Sequence, residues 1–179
     1  MKNLMIDIET WGKAAHAVII SIGAVKFDPT DTNYTDEFHV AITPRGQEFY
    51  KRKIDADTVM WWMDPDRTEA WAHWTAMEKT ELVTALDGFA QWIGTDAQDV
   101  KVWGNGVSFD NVIVQNAYMT AGLETPWYWG NDRCFRTVKN LAPRSLEPIR
   151  LGTYHDALDD ARHQTTWLLK IAEHLNIAL

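Results

Sequence analysis

The sequence is poor in several features that would point to common protein classes. It has one cysteine, Cys134, in 179 residues, which excludes a disulfide framework within the chain and a cysteine-rich zinc site. No run approaches the ~20 apolar residues that a membrane-spanning helix needs. The segment Gly104-Asn105-Gly106 lacks the third glycine of a dinucleotide-binding fingerprint. We therefore expect a soluble protein of a reducing compartment, the cytoplasm, with no membrane partner.

Positive charge is also scarce. The chain has 17 Lys and Arg against 25 Asp and Glu, which gives a net charge of −8. This balance disfavours a protein that binds nucleic acid through a broad basic surface. The objection weakens if carboxylates bind divalent cations, because a metal ion can then hold phosphate. Ten tryptophans are present, and any that are exposed could stack on bases.

The hydrophobic pattern predicts an α/β fold with one domain over residues 1–179. Strands are expected at residues 4–9, 18–27 and 34–43, as an antiparallel meander of three, and at 100–104. Helices are expected at residues 55–63, 68–74, 81–93, 109–121, 134–141 and 156–175. Asp55 and Ser108 are the expected caps of the first and fourth helices. Strands followed by helix–strand units predict a mixed central sheet, antiparallel in its first part and parallel later, flanked by helices.

The first strand carries an acidic pair. Because side chains alternate along a strand, Asp7 and Glu9 share one face. Two adjacent carboxylates within an apolar run are costly to bury unless a cation joins them, and hard divalent cations prefer oxygen ligands. The pattern favours a metal site here; a surface strand with two solvated acids is the alternative.

Two further acidic places lie at predicted helix starts. Asp110 follows the strand at 100–104, and His155 begins a run that contains Asp156, Asp159 and Asp160. Each alone could simply stabilise a helix through its dipole, and His155 could be an inert histidine. Ligands of α/β proteins, however, bind where helices begin at the carboxyl edge of the sheet. The three places together therefore indicate one functional site.

In this order and spacing the motifs resemble those of the DEDDh family of 3′–5′ exonucleases, which have a ribonuclease-H-like fold. The matching segments are Asp7-Ile8-Glu9-Thr10, then Asn105 to Asp110, then His155 with Asp160 five positions later. The short chain, the pair Trp61-Trp62 and the segment at Arg136 look most similar to the polyadenylate-specific exoribonuclease AS type and to related phage exonucleases. Cys134 departs from the Asp that many relatives carry there.

The resemblance implies a role for each site residue. Two divalent ions, Mg²⁺ or Mn²⁺, are expected at four carboxylates, with Asp7 bridging: Asp7, Glu9, Asp110 and Asp160. His155 is expected to act as the general base. Substrate contacts are expected from four residues: Thr10, Trp11, Asn105 and Phe109. For Phe109 a place in the core is the alternative. Asp156 and Asp159 are expected to face solvent. Arg136 and Arg162 are candidate phosphate contacts, with ordinary surface pairing as the alternative.

The expected function is a metal-dependent 3′–5′ exonuclease that releases 5′-nucleoside monophosphates from single-stranded nucleic acid or 3′ overhangs, with RNA as the expected substrate. The same enzyme acting on DNA is the nearest alternative. A catalytically idle nucleic-acid-binding module and a purely structural acidic protein are alternatives from other classes. The resemblance and the many aromatic residues suggest a homodimer. One of Trp61 and Trp62 is expected in the core and the other on a surface, because neighbouring helical residues point in different directions.

Overall fold

The computed structural model describes residues 3–95 and 97–179, and for residues 32–35 it describes the backbone only. Within these residues, six strands form one sheet in the order β4-β3-β2-β1-β5-β6. The strands are β1 (Asn3–Thr10), β2 (Ile19–Asp28), β3 (Asp31–Ile42), β4 (Lys79–Thr80), β5 (Lys101–Gly104) and β6 (Asp132–Cys134). β1, β2 and β3 form an antiparallel meander, while β4, β5 and β6 lie parallel to their neighbours. The predicted mixed sheet is confirmed.

Helices cover both faces of the sheet. They are α1 (Ala56–Trp62), α2 (Thr68–Ala76), α3 (Leu82–Ile93), α4 (Asp110–Thr120), α5 (Phe135–Lys139) and α6 (Ala157–Leu175). Asp55 caps α1 as predicted, and its side chain accepts a hydrogen bond from the Asp57 amide. The predicted Ser108 cap of α4 is wrong, because Phe109 holds that position without a side-chain hydrogen bond. None of the helices in the described part of the chain is long and apolar enough to cross a membrane.

The alternation along β1 divides the strand between two hydrophobic layers. Its even-numbered residues pack in the core beneath α3 and α4: Leu4, Ile6 and Ile8. Met5 points to the opposite face and packs with α5 and α6. Asp7 and Glu9 continue on the face of Met5, because side chains two positions apart share a face. The acidic pair therefore lies on the α6 side of the sheet and is partly buried.

The start of α6 lies directly on the sheet at Gly23. Strand pairing places Gly23 opposite Asp7. A Cβ on Gly23 would lie 2.2 Å from both the carbonyl carbon of Ala157 and the amide nitrogen of Leu158. Only glycine leaves room for such close packing of a helix turn on a strand. This contact brings the first turn of α6 beside the acidic end of β1.

Helices α1 and α2 bring tryptophans to the ends of β1 and β2. The Trp62 indole Nε1 donates to the carbonyl of Thr10 at 2.9 Å, and Trp74 Nε1 donates to the carbonyl of Ile20 at 2.7 Å. Trp62 is 6% exposed and Trp61 is 38% exposed. The prediction that one of this pair is core and the other lies at a surface is confirmed.

We predict that Gly23→Ala lowers the free energy of unfolding by about 1–3 kcal/mol, because an added methyl group overpacks the contact with α6. Gly88→Ala is the matched control: nothing lies within 4 Å of its ideal Cβ, and alanine in a helix interior adds up to ~1 kcal/mol. Urea unfolding followed by circular dichroism measures both. Equal stability of Gly23→Ala and wild type would show that α6 does not depend on this close approach.

Candidate active site

The ends of two parallel strands and the start of α4 form the first part of the site. β5 ends at Gly104, which pairs with Ile6 of β1. Asp7 is therefore the first residue of β1 beyond its pairing with β5. An ideal Cβ on Gly104 would lie 3.0 Å from the Cβ of Asp110. The missing side chain at Gly104 thus lets α4 begin close to the strand ends. Asp110, the first residue of α4, is buried there.

The start of α6 supplies the second part. Asp156 caps the helix, and its side chain accepts a hydrogen bond from the Asp159 amide at 3.1 Å. His155 precedes the cap in a left-handed backbone conformation, with φ of 62°. Its amide donates to Asp160 Oδ2 at 3.2 Å. This turn directs both His155 and Asp160 toward the acidic end of β1.

All five predicted metal-binding and catalytic residues line one cavity of about 350 Å³: Asp7, Glu9, Asp110, His155 and Asp160. One potential ligand atom from each of Glu9, His155 and Asp160 lies within 4.8 Å of the others. Residues separated by about 150 positions in the sequence are therefore close enough to bind a common ion or water molecule.

The acids of this cavity destabilise one another when ionised. Burial raises the pKa of Asp7 well above its ordinary value, and the charges of Asp110 and Asp160 raise it further. Burial and the charge of Asp7 likewise raise the pKa of Glu9. For Asp110, burial raises the pKa to about 7, although backbone amides and Arg136 act in the opposite direction. A group of recessed carboxylates with this much negative charge fits the oxygen-donor set that a divalent cation prefers.

Two polar partners of the acids lie outside the predicted set. Gln164 Nε2 donates to Asp7 Oδ1 at 2.7 Å, and an Arg150 guanidinium nitrogen forms an ion pair with Asp160 Oδ1. Gln164 follows Asp160 by four residues, one turn of α6, so helical spacing could have found it. Arg150 lies in a segment without regular structure, where no periodicity indicates which way a side chain points.

His155 is held between an aromatic ring and the acids. The Trp61 ring meets it edge-on, with centroids 4.8 Å apart. Partial burial lowers the pKa of His155; the charge of Asp160 acts in the opposite direction, while Arg67 and Arg150 lower it further. The imidazole is therefore neutral at neutral pH and able to accept a proton.

The four expected substrate-contact residues separate into two pairs. Asn105 and Phe109 line the cavity. Thr10 and Trp11 lie outside it: the Thr10 hydroxyl donates to the Gly12 carbonyl at 2.6 Å, and Trp11 stacks on Trp71 with centroids 6.2 Å apart. The Thr10 side chain thus stabilises the end of β1, and the Trp11 side chain packs against Trp71.

The two candidate phosphate contacts also differ. Arg136 lines the cavity, where its Nη2 donates to the carbonyl of Asn105 at 2.6 Å. Arg162 instead pairs with Glu37 at 2.6 Å and with Asp159 at 2.8 Å. For Arg162 the structure therefore favours the alternative interpretation, ordinary surface pairing.

The prediction that Asp156 faces solvent is wrong. Its side chain is buried, and its Oδ2 lies 2.8 Å from Nδ1 of His73. His73 belongs to α2, so the local sequence around Asp156 contains no sign of this partner. Asp159 also has partners, because it accepts hydrogen bonds from the Thr153 amide and from Arg162.

Several solved structures with the same fold are nucleases. The nuclease domain of 3′hExo, a DEDDh family member solved with bound rAMP, matches with a TM-score of 0.62 and 14% identity, over 96% of this chain and 92% of that one. Cell-death related nuclease 4 (CRN-4) matches with a TM-score of 0.62 and 16% identity, over 97% of this chain and 64% of that one. E. coli exonuclease I in complex with a dT13 oligonucleotide matches with a TM-score of 0.58 and 14% identity, over 96% of this chain and 40% of that one. At these identities the likeness shows the ribonuclease-H-like fold, and the chain spans only part of the last two proteins.

The fold and the motif set define a 3′–5′ exonuclease of the DEDDh type, which confirms the resemblance seen in the sequence. A family model described as the 3′–5′ exoribonuclease Rv2179c-like domain matches residues 2–172, and the chain belongs to that family. No curated protein sequence matches the chain significantly.

We predict that Asp110→Asn stabilises the metal-free protein at pH 8 by about 1–3 kcal/mol, because it removes a buried charge. The folded-state pKa is raised to about 7, whereas an unfolded Asp titrates near ~3.9. The folded state therefore binds the proton more tightly, and the wild type loses stability as pH rises through that window. The gain from Asp110→Asn is expected to be smaller at pH 5 than at pH 8.

Urea unfolding in EDTA at pH 5 and pH 8 measures this difference. Asp99→Asn, at an exposed site, is the matched control and should show no such pH-dependent gain. If Asp110→Asn and wild type had parallel stability profiles across this range, the carboxylate of Asp110 would not be electrostatically strained.

Proposed function

We propose that the domain formed by residues 1–179 is a metal-dependent 3′–5′ exoribonuclease that releases 5′-nucleoside monophosphates. The observation that carries this proposal is the convergence of four carboxylates and one histidine in a single cavity. Membership of a family described as 3′–5′ exoribonuclease supports the direction of degradation and RNA as the substrate. The rAMP bound to the 3′hExo nuclease domain, which has the same fold, also favours a ribonucleotide.

The donor set fits two Mg²⁺ or Mn²⁺ ions. Asp7, Glu9, Asp110 and Asp160 would hold them, and the family resemblance places Asp7 between the two ions. Oxygen ligands suit these hard cations, and an incomplete protein cage suits Mg²⁺, which keeps several waters. When bound, such ions lower the pKa of water and offset negative charge on the phosphate and the leaving oxygen.

The side chains of the cavity supply positioning and proton transfer. We propose that His155 takes the proton from the attacking water, since its lowered pKa keeps the imidazole neutral. The Trp61 ring packs edge-on against that imidazole, and Gln164 donates a hydrogen bond to the carboxylate of Asp7. Asn105 and Phe109 line the cavity where the terminal nucleotide would lie.

The same site acting on DNA is the second candidate. E. coli exonuclease I, which shares the fold, was solved with a DNA oligonucleotide. An idle binding module is less favoured, because such a module would not need four carboxylates and a histidine in one cavity. The homodimer and the cytoplasmic location stay predictions, and light scattering of the purified protein tests the first.

Degradation of 3′- and 5′-labelled single-stranded RNA and DNA of matched sequence tests the proposal. With Mn²⁺ or Mg²⁺ we expect a ladder that shortens from the 3′ end, faster on RNA, and none in EDTA. Asp7→Ala should lower the rate more than roughly 100-fold because it removes a shared metal ligand, while Asp99→Asn should match the wild type. A faster rate on DNA would favour the second candidate, and the absence of cleavage on either strand would favour the idle module.

The pH profile tests His155. We expect the wild-type rate to fall as pH drops below about 6, because the imidazole becomes protonated and the metal ligands begin to bind protons. His155→Ala should lower kcat by about 10²–10⁴-fold, and His174→Ala, at an exposed position near the end of α6, should not. A wild-type rate that stays flat from pH 5 to pH 8 would contradict a histidine base.

A further inference from the structure

Arg150 places a guanidinium among the acids of the cavity. One of its terminal nitrogens forms an ion pair with Asp160 Oδ1. The Arg150 side chain is only 12% exposed, and it lines the same cavity as Asp7, Glu9 and Asp110. Its positive charge is close enough to Asp7 to act on that carboxylate as well. Arg150 therefore places a positive charge at Asp160, a carboxylate that is proposed to bind a metal ion.

The loop before α6 holds Arg150 in this position. Its Nη2 donates to the Thr153 carbonyl at 2.7 Å, and its guanidinium carbon lies 4.4 Å from the centroid of the Tyr154 ring. The loop is fastened to α6 independently, because the Thr153 amide donates to Asp159 Oδ2 at 2.8 Å. The ion pair with Asp160 is thus not needed to keep the loop in place.

One donor of this guanidinium is left without a partner. The Nε atom of Arg150 is buried and finds no hydrogen-bond acceptor among the residues that the structure describes. A buried N–H group usually has an acceptor, since an unsatisfied one is costly. The guanidinium of arginine presents its donors as a planar fork that matches two phosphate oxygens. Arg150 thus lines the cavity with a guanidinium that has a donor unused by any acceptor in the described part of the chain.

We propose that Arg150 neutralises Asp160 in the metal-free enzyme and binds the substrate phosphate once Asp160 has bound a metal ion. This inference rests on the proposed nuclease function. The same carboxylate oxygen cannot serve the guanidinium and a divalent ion at full strength, so the two cations compete. A released guanidinium remains tethered beside the metal-binding acids, where the phosphate of the terminal nucleotide would lie.

Titration with Mn²⁺ in the absence of nucleic acid tests the competition. Free Mn²⁺ is measured by electron paramagnetic resonance for wild type, Arg150→Ala, Arg150→Lys and Arg144→Ala. Arg144 is the matched control, because it lies on the same connection between α5 and α6 with its side chain 93% exposed. We expect Arg150→Ala to bind Mn²⁺ about tenfold more tightly than wild type, and Arg144→Ala to match wild type.

Binding of 5′-AMP at saturating Mn²⁺ tests the second role. We expect Arg150→Ala to bind 5′-AMP about tenfold more weakly than wild type although it binds the metal more tightly. Arg150→Lys keeps the charge but loses the planar fork, so it should keep Mn²⁺ affinity near wild type and still bind 5′-AMP more weakly. This variant keeps the test decisive if circular dichroism shows that Arg150→Ala does not fold.

Two results separate this inference from the proposed function. If wild type degrades RNA while the Arg150 variants equal it in Mn²⁺ and 5′-AMP affinity, the Arg150 inference is overturned and the nuclease function stands. If Arg150→Ala shows both opposite shifts but wild type degrades neither RNA nor DNA, the role of Arg150 as a metal-linked anion ligand stands and the proposed function fails.

Discussion

The site depends on how closely the first turn of α6 approaches β2 at Gly23. Gly23 is paired with Asp7, and Ala157 and Leu158 lie directly against its Cα. Any side chain at this position would lift the start of the helix away from the sheet. The helix carries Asp160 and is preceded by His155, so the same displacement would separate both from the acids of β1. One missing Cβ therefore sets the distance between parts of the site that lie far apart in the sequence.

Bringing the acids of the cavity together is electrostatically unfavourable, and neighbouring residues offset this repulsion only in part. Burial and mutual repulsion raise the pKa values of Asp7, Glu9 and Asp110. Gln164 and Arg150 each compensate one carboxylate. A divalent cation would relieve the repulsion that remains between the carboxylates. Metal binding is therefore expected to stabilise the folded protein. A site that is strained without its ion is typical of functional rather than structural clusters.

The parts of the site that could be predicted are those with a local pattern. Period-two alternation identified Asp7 and Glu9 as a pair on one face, and the family motifs added Asp110, His155 and Asp160. The parts that were missed depend on distant or irregular neighbours. Arg150 reaches the cavity from a segment without periodicity. Asp156 looked like a solvated residue because its partner, His73, belongs to α2, and no local rule relates the two. The short strands β4 and β6 also escaped prediction, since two or three residues carry no measurable alternation.

The net charge of −8 argues against nucleic-acid binding through a broad basic surface, but the cavity carries cations of its own. Arg136 and Lys139 come from α5 and Arg150 from the loop before α6, and these cations line the same cavity as the acids. Positive side chains thus lie beside the acids, where the reacting phosphate would lie, while the net charge of the whole protein repels nucleic acid. Strong binding along the rest of a strand would lower KM without raising kcat, because it would stabilise substrate and transition state equally. An exonuclease that must release a nucleotide and move along its substrate is better served by attraction confined to the site.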